Sequence, residues 1–327
     1  MPDWLVESFH YDFYDESLRD FIKNVNSNLA KLKNNNRHRF TMRFLSKKDK
    51  KDCISILAKH WNKKRGFFSM FSPAQLKSAE PLPAKLPHDC RIVKERDGGI
   101  YICIPANYHI NNRPPSNRVI ALDPGQRTIL TGFDSDGNVV EIGKDSVARI
   151  GRLLHYMRKL QGKVDVERTH KRRQNLKRAL ERSRKRINNL VQELHKKSTN
   201  FLLNNYDVVL APKLNFHNLG SLNKKLKSKM ATLSHCAMVD RMINKSSRLN
   251  NSHVVAVAED FTSKACSGCG HLNYTLGRSR VFNCSGCGLT ADRDHNAAKN
   301  ILLKYIQKEL GDVCLRALGL GPASSLG

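Results

Sequence analysis

Four cysteines near the C-terminus are the residues whose types and spacing most directly indicate chemistry. They form two Cys-x-x-Cys pairs, Cys266/Cys269 and Cys284/Cys287, which stand fourteen residues apart, and a glycine follows each pair. Four thiolates in this arrangement predict a closed, tetrahedral Zn²⁺ site of the ribbon type, with a structural role for the metal. The alternative is a pair of disulfides or unrelated thiols.

Carboxylates flank these cysteines. Glu259 ends an apolar, strand-like run just before the first pair, and Asp292 and Asp294 open a helix just after the second. Far upstream, Asp123 ends another apolar run and is followed by Pro-Gly. Hard carboxylates suit Mg²⁺ or Mn²⁺ better than zinc. Two such ions roughly 3.5–4 Å apart can activate a water and stabilise the leaving oxygen of a phosphodiester.

Each carboxylate also has a simpler interpretation. Asp123 could be an ordinary turn aspartate, because Asp-Pro-Gly is a turn sequence. Glu259 could be a solvated glutamate at a strand end. Asp292 is an alternative to Asp294 as a metal ligand, or it only caps the helix that follows.

The elements that must position these residues alternate between strands and helices. Three antiparallel strands are expected over Val119–Gly143, then two long helices, a buried strand at 207–213, a helix from Leu226 to Leu249 and a strand at Val254–Ala258. This order predicts an α/β sheet covered by helices. The N-terminal part is expected to be a small mixed or β-rich unit: a helix over residues 1–37, a strand at Phe40–Leu45, and a hairpin formed by residues 91–94 and 99–105 around Asp97-Gly-Gly.

Domain boundaries follow from these patterns. We expect a small mixed or β-rich region over 1–118, an α/β domain over 119–260 with basic helices at 146–200, the zinc ribbon over 261–291, a final helix over 292–310 and a tail over 311–327.

The two long helices carry an unusual charge. Between Arg149 and Lys197 there are 17 Lys and Arg against 4 Asp and Glu, while apolar residues at helical spacing form a stripe on each helix. The apolar stripe of each helix is expected to pack on the core, so the Lys and Arg side chains must lie on the opposite face of the helix. A basic face of this kind is expected for a surface that contacts phosphate backbones. The cations expected to contact nucleic acid are Arg168, Lys171, Arg172, Arg173, Lys177, Arg178, Arg182, Arg184, Lys185 and Arg186.

Composition narrows the class of protein. The chain has 327 residues and a formal net charge of +28, which favours a polyanionic partner and makes nucleic acid the leading expectation. No apolar run is long enough to span a bilayer, and the N-terminus lacks a signal-peptide pattern. The cysteine usage indicates a reducing compartment. We therefore expect no membrane partner and no secretion, with residence in the nucleus for a eukaryotic source and in the cytoplasm otherwise.

Several motifs resemble a known family. Asp123-Pro-Gly, Thr262-Ser-Lys-Ala-Cys-Ser-Gly-Cys-Gly and Asp292-Arg-Asp-His-Asn-Ala-Ala-Lys-Asn resemble the RuvC-type nuclease domain of TnpB proteins, the transposon-encoded, RNA-guided DNA endonucleases related to type V CRISPR effectors. Leu122-Asp-Pro-Gly, Val209-Leu-Ala-Pro-Lys and Glu259-Asp-Phe-Thr-Ser-Lys resemble their eukaryotic and viral relatives, the Fanzor proteins. The resemblance is specific across about 119–306 and implies an RNase H-like (RuvC) fold. It implies that 119–260 is a RuvC-like nuclease domain and that 1–118 is a partial recognition or wedge-like region.

The resemblance also implies site residues and partners. It implies that Asp123, Glu259 and Asp294 hold catalytic Mg²⁺ or Mn²⁺, that guide RNA and target DNA are the partners, and that the four cysteines hold zinc in a target-nucleic-acid-binding insert. The chain departs from the bacterial pattern at Ala211-Pro212-Lys213, where TnpB proteins usually carry a glutamate, so Glu259 becomes the second acid. The region before residue 119 is shorter than usual in the family, so we expect a chain shortened at its N-terminus.

The sequence therefore predicts a metal-dependent, RNA-guided DNA endonuclease. One alternative is a catalytically inactive or truncated nucleic-acid-binding protein derived from such an element. Another is a plain zinc-ribbon transcription factor, which leaves Asp123 and the sheet unexplained.

Overall fold

The computed structural model describes residues 10–34, 39–41, 51–62, 67–68, 78–95, 98–107, 109–212, 224–258, 261–274, 276–277 and 279–317. The chain separates into two compact units, residues 1–108 and 109–327.

The first unit combines one helix with short antiparallel strands. Helix α1 spans Tyr11–Lys33, strands β1, β4 and β5 (Lys51–Ile56, Cys90–Glu95 and Ile100–Cys103) form a sheet in the order β1-β4-β5, and β2 and β3 (Trp61–Asn62 and Phe67–Phe68) form a separate pair. The β4–β5 pair confirms the predicted hairpin. The N-terminal helix is shorter than the predicted 1–37: it begins after its N-cap, His10, and ends before its C-cap, Asn34. Residues 40–41 of the expected strand lie in no regular element, and residues 42–45 lie outside the described residues.

The second unit is built on a five-stranded sheet. Strands β6, β7 and β8 (Val119–Pro124, Leu130–Asp134 and Val139–Ile142) are antiparallel, as predicted, whereas β9 and β10 (Val208–Pro212 and His253–Val257) run parallel to β6, and the strand order is β10-β9-β6-β7-β8. Parallel neighbours need long crossover connections, and helices supply them here. The predicted α/β architecture is confirmed.

Helices cover both faces of this sheet because side chains alternate between the faces along each strand. One face packs on helices α2 (Lys144–Val166) and α3 (His170–Asn205), which form a hairpin, and on α4 and α5 (Lys224–Leu233 and His235–Ser246). Ile120, Leu122 and Val209 are fully buried there. The other face packs on α6 (Arg293–Ala317), whose Ile301 and Leu302 contact Ala121 and Leu210.

The prediction of a single helix over Leu226–Leu249 is wrong. The chain forms two helices, α4 and α5, separated by Ser234, which adopts a left-handed conformation with φ +48°. The sequence around Ser234 contains neither Gly nor Pro, so no local breaker predicts this bend. Tertiary packing imposes it, since Leu233 and His235 on either side are both buried.

A small ribbon precedes α6. Strands β11 (Val281–Asn283) and β12 (Thr290–Asp292) form an antiparallel hairpin that leads directly into the helix. The buried Phe282 packs with Cys266 and Cys284 at the centre of the ribbon. Among the helices that the structure describes, none combines the length and apolar character that a membrane span requires.

Candidate functional site

The four cysteines of the ribbon come together in one cluster. The Sγ atoms of Cys266 and Cys287 lie 3.6 Å apart, as do those of Cys269 and Cys284. A tetrahedral site with metal–sulfur distances of about 2.3 Å has sulfur–sulfur edges of about 3.8 Å, whereas a disulfide bond is only about 2.05 Å long. All four thiols are free, so the geometry suits a metal ion and not disulfides.

Backbone amides prepare this cluster for negative charge. The N–H groups of Gly268 and Gly286 donate to the Sγ atoms of Cys266 and Cys284, at 3.4 and 3.3 Å. Burial raises the pKa of Cys284, but the N–H groups of Cys287 and Gly286 and the neighbouring thiols outweigh it and lower that pKa to about 6. Thiolates are the form in which cysteine binds metal, so these donors favour metal binding at Cys284, and the four Sγ atoms lie close enough together to hold one ion.

Two buried asparagines attach the first cysteine pair to α6. The side chain of Asn296 accepts the N–H of Ser267 at 2.9 Å and donates to the carbonyl of Ala265 at 2.7 Å. Asn300, one helical turn later, donates to the carbonyls of Thr262 and Ala265 at 2.8 and 2.7 Å. The sequence reasoning assigned these asparagines no role of their own. Their i, i+4 spacing on one helix face was the available signal.

Asp123 lies in a row of side chains that crosses three strands. The antiparallel register pairs Asp123 with Thr131, and Thr131 with Glu141. Directly opposed residues project to the same face of a sheet, so all three share one face. This is the face that packs on α6, because Ala121, two residues before Asp123, contacts that helix.

Helix α6 brings Asp294 to the same end of the sheet. His295 Nε2 lies 3.6 Å from Glu141 Oε1, in the row of Asp123. One turn later, Lys299 Nζ lies 5.9 Å from the ring centroid of Phe133, in the row of Ala121. Four residues of helix advance about 6 Å, and two residues of strand advance about 6.7 Å. The helix therefore runs antiparallel to β6, and its N-terminus lies over the end of β6 that carries Asp123.

The first turn of α6 favours a carboxylate at this place. Asp292 Oδ1 accepts the N–H of Asp294 at 2.8 Å, so Asp292 caps the helix and is exposed. Asp294 is half-buried in the first turn, where the helix dipole stabilises negative charge. Asp123 is also half-buried. The structure thus brings Asp123 and Asp294 to the same end and the same face of the sheet.

The turn after Asp123 is stabilised by His235 of α5, which packs on the sheet face opposite to α6. The carbonyl of Ile129 accepts the N–H of Gly125 at 3.3 Å and a ring nitrogen of the buried His235 at 3.1 Å. A Cβ at Gly125 would lie 2.9 Å from the carbonyl oxygen of Thr128, so only glycine fits there without displacement. Burial lowers the pKa of His235 to about 4, so the ring is neutral at physiological pH. The sequence reasoning missed this contact because α5 and the turn are far apart in the chain.

Glu259 lies outside the described residues; β10, which precedes it, ends at Val257. Among the described residues, neither Asp123 nor Asp294 belongs to a group of three or more His, Cys, Asp or Glu residues with ligand atoms within 4.8 Å of one another. Glu141 and His295 are additional polar residues at this end of the sheet that the sequence reasoning missed. The alternation Val139-Val-Glu-Ile, which puts Glu141 in register with Asp123, was the available signal.

The predicted cationic residues lie on or just before the first half of α3. From residue 168 to residue 186 there are ten Lys and Arg and one acid, Glu181. Within residues 170–186 only Leu180 is buried. Nine of the ten predicted cations are exposed, and Lys185 is half-buried. The basic half of this helix therefore offers its charge to solvent, whereas the second half packs into the core.

A second group of possible metal ligands occurs in the first unit. His10, Asp12 and His60 have ligand atoms within 4.8 Å of one another. Asp12, however, already accepts from Lys59 Nζ at 3.0 Å and from His60. The Lys59 and His60 contacts lower the pKa of Asp12 despite its burial. An ammonium group in this place opposes a cation, so we assign the cluster a structural role.

The sheet order, the parallel pair after three antiparallel strands and the helices on both faces define an RNase H-like α/β fold of the RuvC type. Residues 237–301 match the family model described as Cas12f1-like, TNB domain. A putative transposase of Paramecium bursaria Chlorella virus 1 is 28% identical over 317 residues, which cover 90% of this chain and 69% of that protein. Two TnpB-like proteins of Acanthamoeba polyphaga mimivirus are 29% and 31% identical over 270 and 212 residues, covering 77% and 61% of this chain. These matches support a TnpB/Fanzor-type family.

Two further similarities are to Cas12f1 proteins. The CRISPR-associated endodeoxyribonuclease Cas12f1 of Sulfoacidibacillus thermotolerans is 34% identical over 61 residues, 18% of this chain and 14% of that protein. A Cas12f1 chain solved in complex with sgRNA and target DNA superimposes with a TM-score of 0.48 at 17% identity, covering 85% of this chain and 69% of that one. The chain spans only 50% and 39% of the length of the two mimivirus relatives.

Proposed function

We propose that this protein is a metal-dependent, RNA-guided DNA endonuclease whose candidate catalytic residues are Asp123, Asp294 and Glu259. The observation that carries the proposal is the position of Asp123 and Asp294 at the same end and the same face of the sheet. The comparisons support the reaction class, because the similar proteins include a putative transposase and the Cas12f1 endodeoxyribonuclease.

The donor set fits Mg²⁺ or Mn²⁺. Asp123 and Asp294 offer hard oxygen ligands and are both half-buried, so they are partly shielded yet reachable from solvent. When bound, such ions would polarise the phosphodiester and lower the pKa of the attacking water. Asp123 and Asp294 would hold the ions, and Glu259, two residues beyond Val257 in the sequence, would be the third ligand.

The surrounding residues would orient these ligands. The Ile129 carbonyl, held by His235, fixes the turn that follows Asp123. Asp292 fixes the first turn of α6 and hence the backbone of Asp294. The ribbon, with zinc on its four cysteines, would fix the position of α6 through Asn296 and Asn300. Zinc would therefore be structural, and the carboxylates would supply the chemistry.

The basic half of α3 would bind the phosphate backbone of the guide–target heteroduplex. Ten cations against one acid give a field that attracts any nucleic acid without reading its sequence. Base pairing with a guide RNA would then supply sequence choice. Guide RNA and target DNA are therefore the partners we propose.

The test is cleavage of a guide-matched DNA duplex by the full chain co-purified with the RNA of its own element. Cleavage should require Mg²⁺ or Mn²⁺ and should stop in EDTA. Losing even an outer residue of a metal site typically costs roughly 10- to 100-fold, so Asp123→Ala, Glu259→Ala and Asp294→Ala should each cost more than that. The matched control is Asp292→Asn, which keeps a capping side chain on α6.

The outcomes separate the candidates. Full activity of Asp123→Ala or Asp294→Ala would refute the assigned site, and full activity of Glu259→Ala would refute that residue alone. RNA binding without cleavage by the parent protein would favour the inactive nucleic-acid-binding derivative.

A further inference from the structure

A cleft between α3 and α5 has no role in the proposed reaction. Its volume is about 470 Å³, within the range of ligand-binding pockets. It is lined by four cations, Lys196, Arg241, Lys245 and Arg248, and by one acid, Asp240, which leaves three positive charges in excess. Both helices pack on the sheet face opposite to α6, so the cleft is separate from the face that carries Asp123.

Two buried donors at the wall of this cleft lack partners. The side-chain hydroxyl of Thr199 makes no hydrogen bond within the described structure, although the residue is only 1% exposed. A helical threonine usually donates to the carbonyl four residues earlier. Arg241 donates Nη2 to Gln192 Oε1, but its Nε is buried and has no partner there either. Buried polar groups are normally satisfied, so an unpartnered pair lining one cleft points to a missing acceptor.

Lys245 adds a positive charge, and no described carboxylate is paired with it. Its Nζ donates to the amide oxygen of Asn200, and burial lowers the pKa of this lysine. Desolvating a cation is costly unless an anion compensates it. An anion in the cleft would accept from Lys245 and Arg241 together, and it would offer oxygens to the unpartnered groups.

We propose that the cleft between α3 and α5 is a phosphate-binding site. A guanidinium fork and an ammonium group, with an excess of three positive charges, match a phosphate better than a single carboxylate. The phosphate could belong to a free phosphomonoester or to the backbone of a bound nucleic acid; the chemistry of recognition is the same. The site does not depend on the proposed nuclease activity.

The test uses the full chain and two probes: inorganic phosphate, and a six-nucleotide single-stranded DNA without guide RNA. Arg241→Gln and Lys245→Gln each remove one cation of the cleft, and Lys308→Gln removes one exposed cation of α6 as the matched control. Titration calorimetry should show that each cleft variant weakens the affinity for phosphate about tenfold or more, since hydrogen bonds to charged groups are the strong ones. The control should change it less than twofold.

The two probes identify the source of the phosphate. Weakened binding of the oligonucleotide by the cleft variants assigns the site to a nucleic-acid backbone, and weakened binding of inorganic phosphate alone assigns it to a free phosphate. Unchanged affinity for both probes in both variants would overturn the proposal.

One further variant distinguishes recognition from folding. Thr199→Val keeps the shape of the side chain and removes the unpartnered hydroxyl, so it should not destabilise the protein. If that hydroxyl serves a phosphate, affinity should fall several-fold while the circular dichroism spectrum stays unchanged. Unchanged affinity in Thr199→Val would remove the hydroxyl from the site.

Discussion

The attachment of the ribbon to α6 can be tested at Asn296, independently of any activity. Asn296→Ala removes an acceptor for the Ser267 N–H and a donor to the Ala265 carbonyl. The carbonyl keeps Asn300 as a partner at 2.7 Å, so the main loss is the Ser267 N–H. Leaving the Ser267 N–H without an acceptor, and the Ala265 carbonyl with one donor fewer, should lower the free energy of local opening by about 2 kcal/mol. That free energy corresponds to a roughly 30-fold shift in the local opening equilibrium.

Hydrogen exchange at the Ser267 amide measures this opening directly. Its protection factor should fall about 30-fold in Asn296→Ala, and metal transfer from the cysteines to a chelator should accelerate similarly. Lys308→Ala, on an exposed position of the same helix, should leave both unchanged. Because Asn296 and Asn300 share the Ala265 carbonyl, the double variant Asn296→Ala/Asn300→Ala should lose more than the sum of the single losses. Unchanged protection at Ser267, or strictly additive losses, would refute this account.

Three further predictions concern stability and charge. Since burial holds the pKa of His235 at about 4, below its ordinary 6.5, the unfolded chain takes up the proton first. The contribution of the neutral His235 ring to the free energy of unfolding is then fully present above pH 6.5. Lowering the pH from 7 to 5 should reduce the free energy of unfolding, measured in urea, by about 2 kcal/mol. Gly143→Ala should lower the free energy of unfolding by about 2–4 kcal/mol, because φ is +75° and the added Cβ would lie 2.7 Å from Leu194 Cδ1. Replacing Arg172 and Arg173 by Gln should lower the salt dependence of nucleic-acid binding, the slope of log K against log salt, by about 1–2.

Each of these has a matched comparison. His235→Gln should flatten the pH dependence of stability, and an unchanged profile would contradict the assignment to His235. Gly162→Ala, near the C-terminal end of α2 with open space around it, should be neutral or slightly stabilising. Lys308→Gln should leave the salt slope unchanged; an equal change there would show that total charge, and not the basic half of α3, sets the binding.

Local patterns predicted much of the fold. The apolar runs and turn sequences of Val119–Ile142, the apolar stripes of the long helices and the Cys-x-x-Cys spacing each depend on neighbours in sequence, and the structure contains the elements expected from them. The bend at Ser234 could not be predicted, because a left-handed serine is stabilised only by the packing of Leu233 and His235.

By itself the sequence determined the types of chemistry: four soft thiolates at a metal spacing, hard carboxylates next to predicted elements, and a basic helix. Only the tertiary structure decided which of these meet. The register of β6, β7 and β8 puts Asp123 and Glu141 in one row, and the antiparallel course of α6 brings Asp294 to that row. The contact between α6 and β8 joins residues over a hundred positions apart, and the geometry of the whole row comes from the pleat of the sheet and the pitch of the helix. No local pattern encodes it.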